Sequence, residues 1–224
     1  MTEDRLVEWR LFEGIPDEEV RELLTLARRR TFHRGEIVLH QDDPGDSLHL
    51  ITKGRFAVRV TTPLGEPATL SVCGPGEMFG EMALIGERAG RSATVEALED
   101  AETLCVHELD FERLRRDHPI LNETFIRFLV DEVRVMNERL LEAYYVSAER
   151  RVLRRVLELS RLYGGVSDGI ARIPLTQETL AGMAGTSRAT VNAVLRDAQT
   201  RGLVELARGS VRVVDPVGLA KRAR

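Results

Sequence analysis

The sequence is short of cysteine and has no long hydrophobic run. Its 224 residues include two cysteines, Cys73 and Cys105. Two are too few for a disulfide framework or a four-cysteine metal site, and each lies in an apolar run, so we expect buried thiols in a reducing compartment. Nowhere do about 18 apolar residues follow one another, which excludes a membrane-spanning helix. The acidic start Met1-Thr2-Glu3-Asp4 predicts no signal peptide, and we expect a cytoplasmic protein without a membrane partner.

Catalytic and metal-binding motifs are missing as well. The sequence contains no nucleophile–base arrangement, no metal-ligand spacing and no Walker loop. It therefore predicts no catalytic residue and no metal site. The competing hypothesis from another class is an enzyme, or the regulatory subunit of an enzyme.

The net charge of −4 averages two unlike halves. Residues 148–224 hold 14 arginines and lysines against 7 acidic residues, whereas the first 147 residues hold 18 against 29. A basic segment on an acidic body indicates a polyanionic partner for that segment alone, because phosphate neutralisation is local. A small domain can also carry such a charge without binding anything.

Short alternating segments dominate the first half of the chain. Pro16 is placed to open a helix over residues 16–30, with apolar residues at helical spacing. From about residue 31 to 109, glycine-rich turns separate short segments, which predicts an all-β roll or barrel. The expected strands are residues 37–39, 48–51, 56–60, 69–72, 94–97 and 103–106. A helical turn over residues 81–84 interrupts them, where backbone N–H groups can meet an anion.

A long helix is expected from about Ile120 to Tyr145. Its apolar residues recur at spacings of three and four, the alternation of a two-stranded coiled coil. We therefore predict a dimer interface, and a helix packed on its own β-roll is the alternative. The stripe consists of Ile126, Leu129, Val133, Met136, Leu140 and Ala143.

The basic segment has the pattern of a winged helix-turn-helix. A helix is expected after Ser147 to about Tyr163, ended by Gly164-Gly165, and then a short strand over residues 170–173. Thr176 and Ser187 are good N-caps for two further helices separated by Gly185. Residues 202–206 and 211–214 read as a β-hairpin wing. The second helix of such a motif enters the major groove by its N-terminal end; an αα-hairpin used only for packing is the alternative.

Three stretches together resemble the CRP/FNR family, the cyclic-AMP receptor proteins and their relatives, over nearly the whole chain. They are residues 45–54, residues 80–84 with Arg91-Ser92-Ala93, and residues 185–191. The resemblance implies an α+β fold with three parts. These are a double-stranded β-roll (residues 1–118), a long dimerisation helix (119–146) and a winged helix-turn-helix (147–224).

The second stretch is similar to the phosphate-binding cassette of cyclic-nucleotide domains. The resemblance implies that Glu81 binds a ribose 2′-hydroxyl and that Arg91 and Ser92 bind the cyclic phosphate, within a cassette that also contains Gly80, Met82 and Ala83. Cyclic AMP or another cyclic nucleotide is then the effector, and no covalent cofactor is expected. The family's adenine-contacting pair falls at Met136 and Asn137; Met136 belongs to the apolar stripe, and Asn137 is available to hydrogen-bond a base. The alternative is a ligand-independent regulator whose Glu81 and Arg91 form a salt bridge.

The third stretch matches the family's reading helix in part. Arg188 falls at its guanine-reading arginine. Ala189 and Ala193 stand where a glutamate and a second arginine are usual, so Thr190 and Asn192 are the substitutes and the operator is expected to differ. The remaining candidate DNA-binding residues are Thr176, Gln177, Ser187 and Arg208. The implied partners are double-stranded DNA with a two-fold operator, a second copy of the chain and RNA polymerase.

Two other sensing modes of the family are disfavoured. An iron–sulfur sensor would need four cysteines, and a haem sensor would need an axial histidine. We interpret the five histidines as solvated or turn residues: His33, His40, His49, His107 and His118.

Overall fold

The computed structural model describes residues 9–62, 65, 67–85, 90–164 and 172–224. Contacts divide the chain into two compact units, residues 1–60 with 72–135 and residues 61–71 with 136–224. The boundary falls inside one long helix, between Val135 and Met136. The predicted three-part division at residues 118 and 146 stays a prediction.

The first half of the chain forms a β-roll of two four-stranded sheets, ordered β1-β8-β3-β6 and β2-β7-β4-β5. The strands are β1 Arg28–Phe32, β2 Ile37–Leu39, β3 Ser47–Lys53, β4 Phe56–Thr61, β5 Pro67–Cys73, β6 Met78–Phe79, β7 Thr94–Ala97 and β8 Ala101–His107. A 3-10 helix (Arg10–Phe12) and the helices α1 (Asp17–Leu26), α2 (Met82–Ile85), α3 (Glu108–Asp117) and α4 (Ile120–Tyr145) accompany them.

Strand β3 separates two hydrophobic cores because successive side chains of a strand point to opposite faces. Leu48 and Leu50 belong to a core that also contains Trp9. Ile51 belongs to the core inside the roll, with Phe56. Helix α4 is anchored in the first core at its start, through Leu121 and Phe125.

The apolar stripe of α4, which begins at Ile126 just after this anchor, is exposed. The exposed fractions of Ile126, Met136 and Leu140 are 60%, 63% and 52%. For Ile126, which lies in the same compact unit as the roll, the alternative of a stripe packed on its own β-roll is therefore wrong.

The second unit contains α5 (Ala148–Tyr163), β9 (Arg172–Ile173), α6 (Gln177–Ala184), α7 (Arg188–Thr200), β10 (Val204–Ala207), β11 (Ser210–Val213) and α8 (Pro216–Ala223). The three strands form one sheet, ordered β10-β11-β9. Fully buried side chains join the elements, such as Val156, Leu180 and Leu195. Helix α5 begins and ends where the sequence predicts; residues 165–171, which include the start of the predicted strand 170–173, lie outside the described residues.

Several sequence-based expectations are corrected. The helix predicted over residues 16–30 ends at Leu26, and Arg28–Phe32 is a strand because it pairs with β8. Strand β6 and helices α3 and α8 were not expected. Helix α2 begins at Met82, so Glu81 lies in the turn before it. The two cysteines are free thiols and only partly buried.

The interpretation of His49 as a solvated or turn residue is also wrong, because His49 is a core residue. It is 5% exposed. Its ring stacks on Phe79 with the ring centroids 4.9 Å apart.

Within the described residues, no helix has the length and hydrophobicity needed to cross a membrane.

Candidate functional site

The loop before β3 holds the backbone of Arg91 in place. The amide of Arg91 donates to Asp43 O at 2.8 Å, and the amide of Asp42 donates to Arg91 O at 2.9 Å. Asp42 has a φ of 70°, a left-handed conformation that aspartate tolerates better than most residues. Arg91 is thereby brought to residues that precede it by more than forty positions.

The guanidinium of Arg91 is buried, with an exposed fraction of 4%. Nη1 donates to Ser47 O at 2.7 Å and to Gly80 O at 2.9 Å, and Nη2 donates to Ser47 Oγ at 3.1 Å. Asp46 lies 3.5 Å from Nη2 and is the ion-pair partner of Arg91 among the described residues. The alternative salt bridge between Glu81 and Arg91 is therefore wrong in this structure.

Arg91 keeps donors for a further partner. A guanidinium has five N–H groups, and three are used in these hydrogen bonds. The Nε atom is buried and has no hydrogen-bond partner among the described residues. Nε–H and the remaining Nη2–H lie on adjacent nitrogens, the arrangement with which arginine binds a phosphate or carboxylate in two places. The residues present thus fit an anionic group.

Two glycines leave the space beside this guanidinium open. A Cβ at Gly45 would lie 2.2 Å from Ala83 Cβ and 3.3 Å from Arg91 Nε. A Cβ at Gly80 would lie 2.8 Å from Arg91 Nη1, and its φ of +89° already disfavours other residues. Gly45 therefore makes room for Ala83 beside Arg91, and Gly80 lets Arg91 approach closely with a backbone conformation that favours glycine.

The other predicted cassette residues surround the same place. Burial raises the pKa of the Glu81 carboxyl, the nearby Glu132 raises it further, and its own backbone hydrogen bond and Arg91 oppose the shift. Ser92 and Met82 are exposed, and Ser92 Oγ lies 3.5 Å from Met82 Sδ. The structure thus brings Gly80, Glu81, Met82, Ala83, Arg91 and Ser92 together. Asn137 is an exposed residue of α4 in the second unit, so its role stays a prediction.

A cavity of about 630 Å³ lies in the roll, and Arg91 is the predicted ligand residue that lines it. Its other lining residues come mainly from β1, β2, β3 and β8 and include Arg28 and His49. The cavity therefore differs from the predicted cassette in all residues but one.

The helices α6 and α7 form a helix-turn-helix with both predicted caps. Thr176 Oγ1 accepts from the amide of Thr179 at 3.2 Å, with Gln177 as the first residue of α6. Ser187 Oγ accepts from the amide of Thr190 at 3.1 Å. Gly185 between the helices has φ 58° and ψ 48°, the left-handed conformation that ends a helix.

The outer face of α7 carries the predicted reading residues. Arg188 and Ala189 are exposed at its start. The Thr190 hydroxyl lies 3.0 Å from Ser187 Oγ and takes part in the cap. Asn192 Oδ1 accepts from Arg196 Nε at 3.0 Å. Arg196, exposed on the same face, is a candidate DNA-contacting residue that the sequence analysis missed, although its spacing of eight residues from Arg188 indicates that face.

The wing presents one arginine to solvent and pairs the other. Arg208 lies exposed in the turn between β10 and β11. Arg212 Nη1 lies 3.1 Å from Glu205 Oε2 on the neighbouring strand. The two wing arginines therefore differ in how much positive charge they can offer to DNA.

Comparison with known proteins agrees with both predicted domain types. Residues 29–118 match the family model of the cyclic nucleotide-binding domain, and residues 150–222 match that of the Crp-like helix-turn-helix domain. A CRP-like cAMP-activated global transcriptional regulator of Mycobacterium tuberculosis is 31% identical over 221 residues, 96% of each chain. The Cyclic AMP receptor protein of Thermus thermophilus is 34% identical over 204 residues, 91% of each chain.

This chain belongs to the CRP/FNR family of transcription regulators. The crystal structure of the Thermus thermophilus Catabolite Activator Protein is similar to it at 33% identity, with a TM-score of 0.56, covering 96% of this chain and 98% of the other. The predicted fold class, a cyclic-nucleotide-type β-roll, a long helix and a winged helix-turn-helix, is confirmed. As a CRP/FNR protein, the chain is a DNA-binding transcription regulator with a cyclic nucleotide-binding sensor domain.

The sequence analysis did not assign a role to Gly45, Asp46 or Ser47, which contact or make room for Arg91. The available signal was their place at the start of the first family-like stretch, 44 residues or more before Arg91 in the chain.

Proposed function

We propose that this CRP/FNR protein is a homodimer whose operator binding is controlled by cyclic AMP in the β-roll. The buried Arg91 carries the proposal, because no described residue accepts a hydrogen bond from its Nε while the rest of the guanidinium is held in place. The relatives from Mycobacterium tuberculosis and Thermus thermophilus are named for cyclic AMP, which supports this nucleotide as the effector.

Each cassette residue has a part in this proposal. Arg91 pairs with the cyclic phosphate through Nε and Nη2, and the exposed hydroxyl of Ser92 donates to the same phosphate. Glu81 accepts from the ribose 2′-hydroxyl, and this hydrogen bond is stronger with the ionised carboxylate. Its raised pKa makes this contact sensitive to acid. Asn137 is the proposed contact to the base.

The exposed stripe of α4 supports the dimer. Identical helices that bury the same apolar stripe form a two-fold contact. Two reading helices related by that axis can occupy successive major grooves about 34 Å apart. Each presents Arg188 to a guanine, with Asn192, Thr190 and the wing residue Arg208 as further contacts. The resemblance to the family makes RNA polymerase the proposed partner of the operator-bound dimer. The proposed location of the protein is the cytoplasm.

Calorimetric titration with cyclic AMP and cyclic GMP tests the ligand. Ser92→Ala removes one exposed hydroxyl, so it should preserve folding and weaken cyclic AMP binding by about tenfold, the value of one hydrogen bond to a charged group. Arg91→Lys should weaken it further, because an ammonium cannot bind in two places.

Arg28→Ala is the matched control, since Arg28 lines the cavity on the other side of Arg91's neighbours in β3 but lies outside the cassette. It should leave cyclic AMP binding unchanged. A larger loss from Arg28→Ala than from Ser92→Ala would place the nucleotide in that cavity. Failure of any cyclic nucleotide to raise the melting temperature at about millimolar concentration would contradict the proposed effector and favour a ligand-independent regulator.

A further inference from the structure

Two helix ends meet beside α5, and each leaves backbone carbonyls without a partner inside its helix. Helix α4 ends at Tyr145, and the two residues Val146 and Ser147 connect it to α5. Helix α6 ends at Ala184, and Gly185 makes the turn toward the reading helix α7. All of these residues belong to the second compact unit.

One arginine of α5 satisfies carbonyls of both helix ends. Arg151 Nη1 donates to Val146 O at 2.7 Å. On the other side, Nε donates to Ala184 O at 2.9 Å and Nη2 donates to Gly185 O at 3.1 Å. A planar guanidinium with a fixed set of donors is suited to hold three carbonyls in one geometry. The connection after α4 is thereby joined to the turn of the helix-turn-helix.

The neighbouring arginines of α5 have other partners. Arg150 Nη1 donates to Arg224 O at 3.2 Å, at the end of the chain. Arg154 donates to Ala223 O at 2.8 Å and to Glu142 Oε1 at 2.8 Å. Of these arginines, Arg151 is the one whose described hydrogen bonds reach the turn between α6 and α7.

We propose that Arg151 is a positioning residue that sets the orientation of the reading helix relative to the end of α4, and so the half-site spacing that the dimer accepts. Arg188, the first residue of α7, follows Gly185 by three residues, so a change in the Arg151 contacts rotates the reading helix as a body. A two-fold dimer reads both half-sites only when its reading helices have the correct separation. The inference rests on the proposed dimeric reading of a two-fold operator.

The experiment measures the affinity of the full-length protein for three duplexes and for a single half-site. The duplexes carry the selected operator and two versions in which its half-sites are one base pair closer or farther apart. Wild type should prefer one spacing. Arg151→Gln should reduce this preference by about tenfold, because the loss of one charge-assisted hydrogen bond already corresponds to roughly that factor. Affinity for the single half-site should change by less than about threefold, since Arg188 is untouched.

Arg150→Gln is the control, since it removes the same charge from the adjacent residue of the same helix. It should keep the wild-type spacing preference and show the same electrostatic loss on all duplexes. Arg151→Lys retains the charge but cannot span three carbonyls, so its spacing preference should also be weakened. If the Arg151→Gln protein fails to fold, the Arg151→Lys protein is used for the test instead.

An Arg151→Gln or Arg151→Lys protein that folds and keeps the full spacing preference would overturn the positioning role. A loss on the half-site equal to that on the operator would also overturn it, since that result reports general destabilisation. If wild type itself showed no spacing preference, the proposed two-fold reading would fail, and this outcome is distinct from the failure of the Arg151 assignment.

Discussion

Acidification should destabilise the β-roll through the buried histidine His49. The Nδ1 atom of its ring lies 2.9 Å from Thr103 Oγ1, and the ring lines the cavity next to Arg91. Burial lowers the pKa of His49 from 6.5 to about 4, helped by the charges of Arg91 and Arg30 and opposed by Asp46. The folded protein therefore keeps this ring neutral at pH values where an unfolded chain protonates it.

The sign and size of the effect follow from these two pKa values. Well above pH 6.5 neither state binds the proton, so His49 contributes nothing to the pH dependence of stability there. As the pH falls from 6.5 toward 4, the unfolded state binds a proton that the folded state does not, and the free energy of unfolding decreases. At about 1.4 kcal/mol per pH unit, the loss reaches about 3 kcal/mol near pH 4.

Urea unfolding at a series of pH values measures this loss. Trp9 is the one tryptophan of the chain and is buried in a core of the roll, so its fluorescence follows this unit. His49→Asn keeps an amide that can bond Thr103 but does not titrate. Carboxylates titrate equally in both proteins, so wild type should lose about 3 kcal/mol more than His49→Asn between neutral pH and pH 4.

His33 provides the control, because its side chain is 93% exposed. His33→Asn should show the wild-type dependence on pH. Equal losses in wild type and His49→Asn would refute the claim that His49 is held neutral by burial, whatever the absolute stability of the variant.

Three further predictions concern the dimer and the DNA. The double substitution Leu129→Lys and Leu140→Lys places charges in the α4 stripe and should give a monomer that no longer binds a two-fold operator. Light scattering measures the mass in solution, and a dimeric variant would contradict the proposed interface. Arg188→Ala should weaken the specific site by about 1–3 kcal/mol and relax one symmetric base position in selection from random duplexes, whereas a uniform loss would assign Arg188 to phosphates. Arg208→Ala should lower the salt dependence of binding more than Arg212→Ala, because Glu205 already offsets Arg212; equal effects of the two substitutions would argue against this difference.

The absence of side-chain donors at Ala189 and Ala193 bears on the operator itself. Base pairs beside the guanine read by Arg188 should tolerate substitution, unless Asn192 and Arg196 read them. Selection from random duplexes, repeated with Arg196→Ala, separates these cases: a preference that disappears in the variant assigns the reading to Arg196 and its contact with Asn192.

Local chemistry in the sequence was enough to place most of the regular elements of the second unit. Thr176 and Ser187 cap α6 and α7 as predicted, and Gly185 adopts the left-handed turn between them. Helix α4 spans the predicted Ile120–Tyr145. Caps, glycine turns and apolar periodicity act within a few residues, so a single sequence displays them. The cassette residues were assigned differently, from the resemblance to the family over one short stretch with Arg91 close behind it, and their roles stay a prediction.

What depended on distant partners was decided only by the tertiary structure. Arg28–Phe32 has no strand-like pattern and becomes a strand because β8 pairs with it from 69 to 77 residues away. His49 alternates with leucines in β3, and only the closure of the roll shows that its face is buried. Arginines alike in sequence receive different partners: Arg91 contacts Ser47 and Gly80, whereas Arg151 bridges two helix ends. A long flexible cation can satisfy many acceptors, and the fold determines which of them lie within reach.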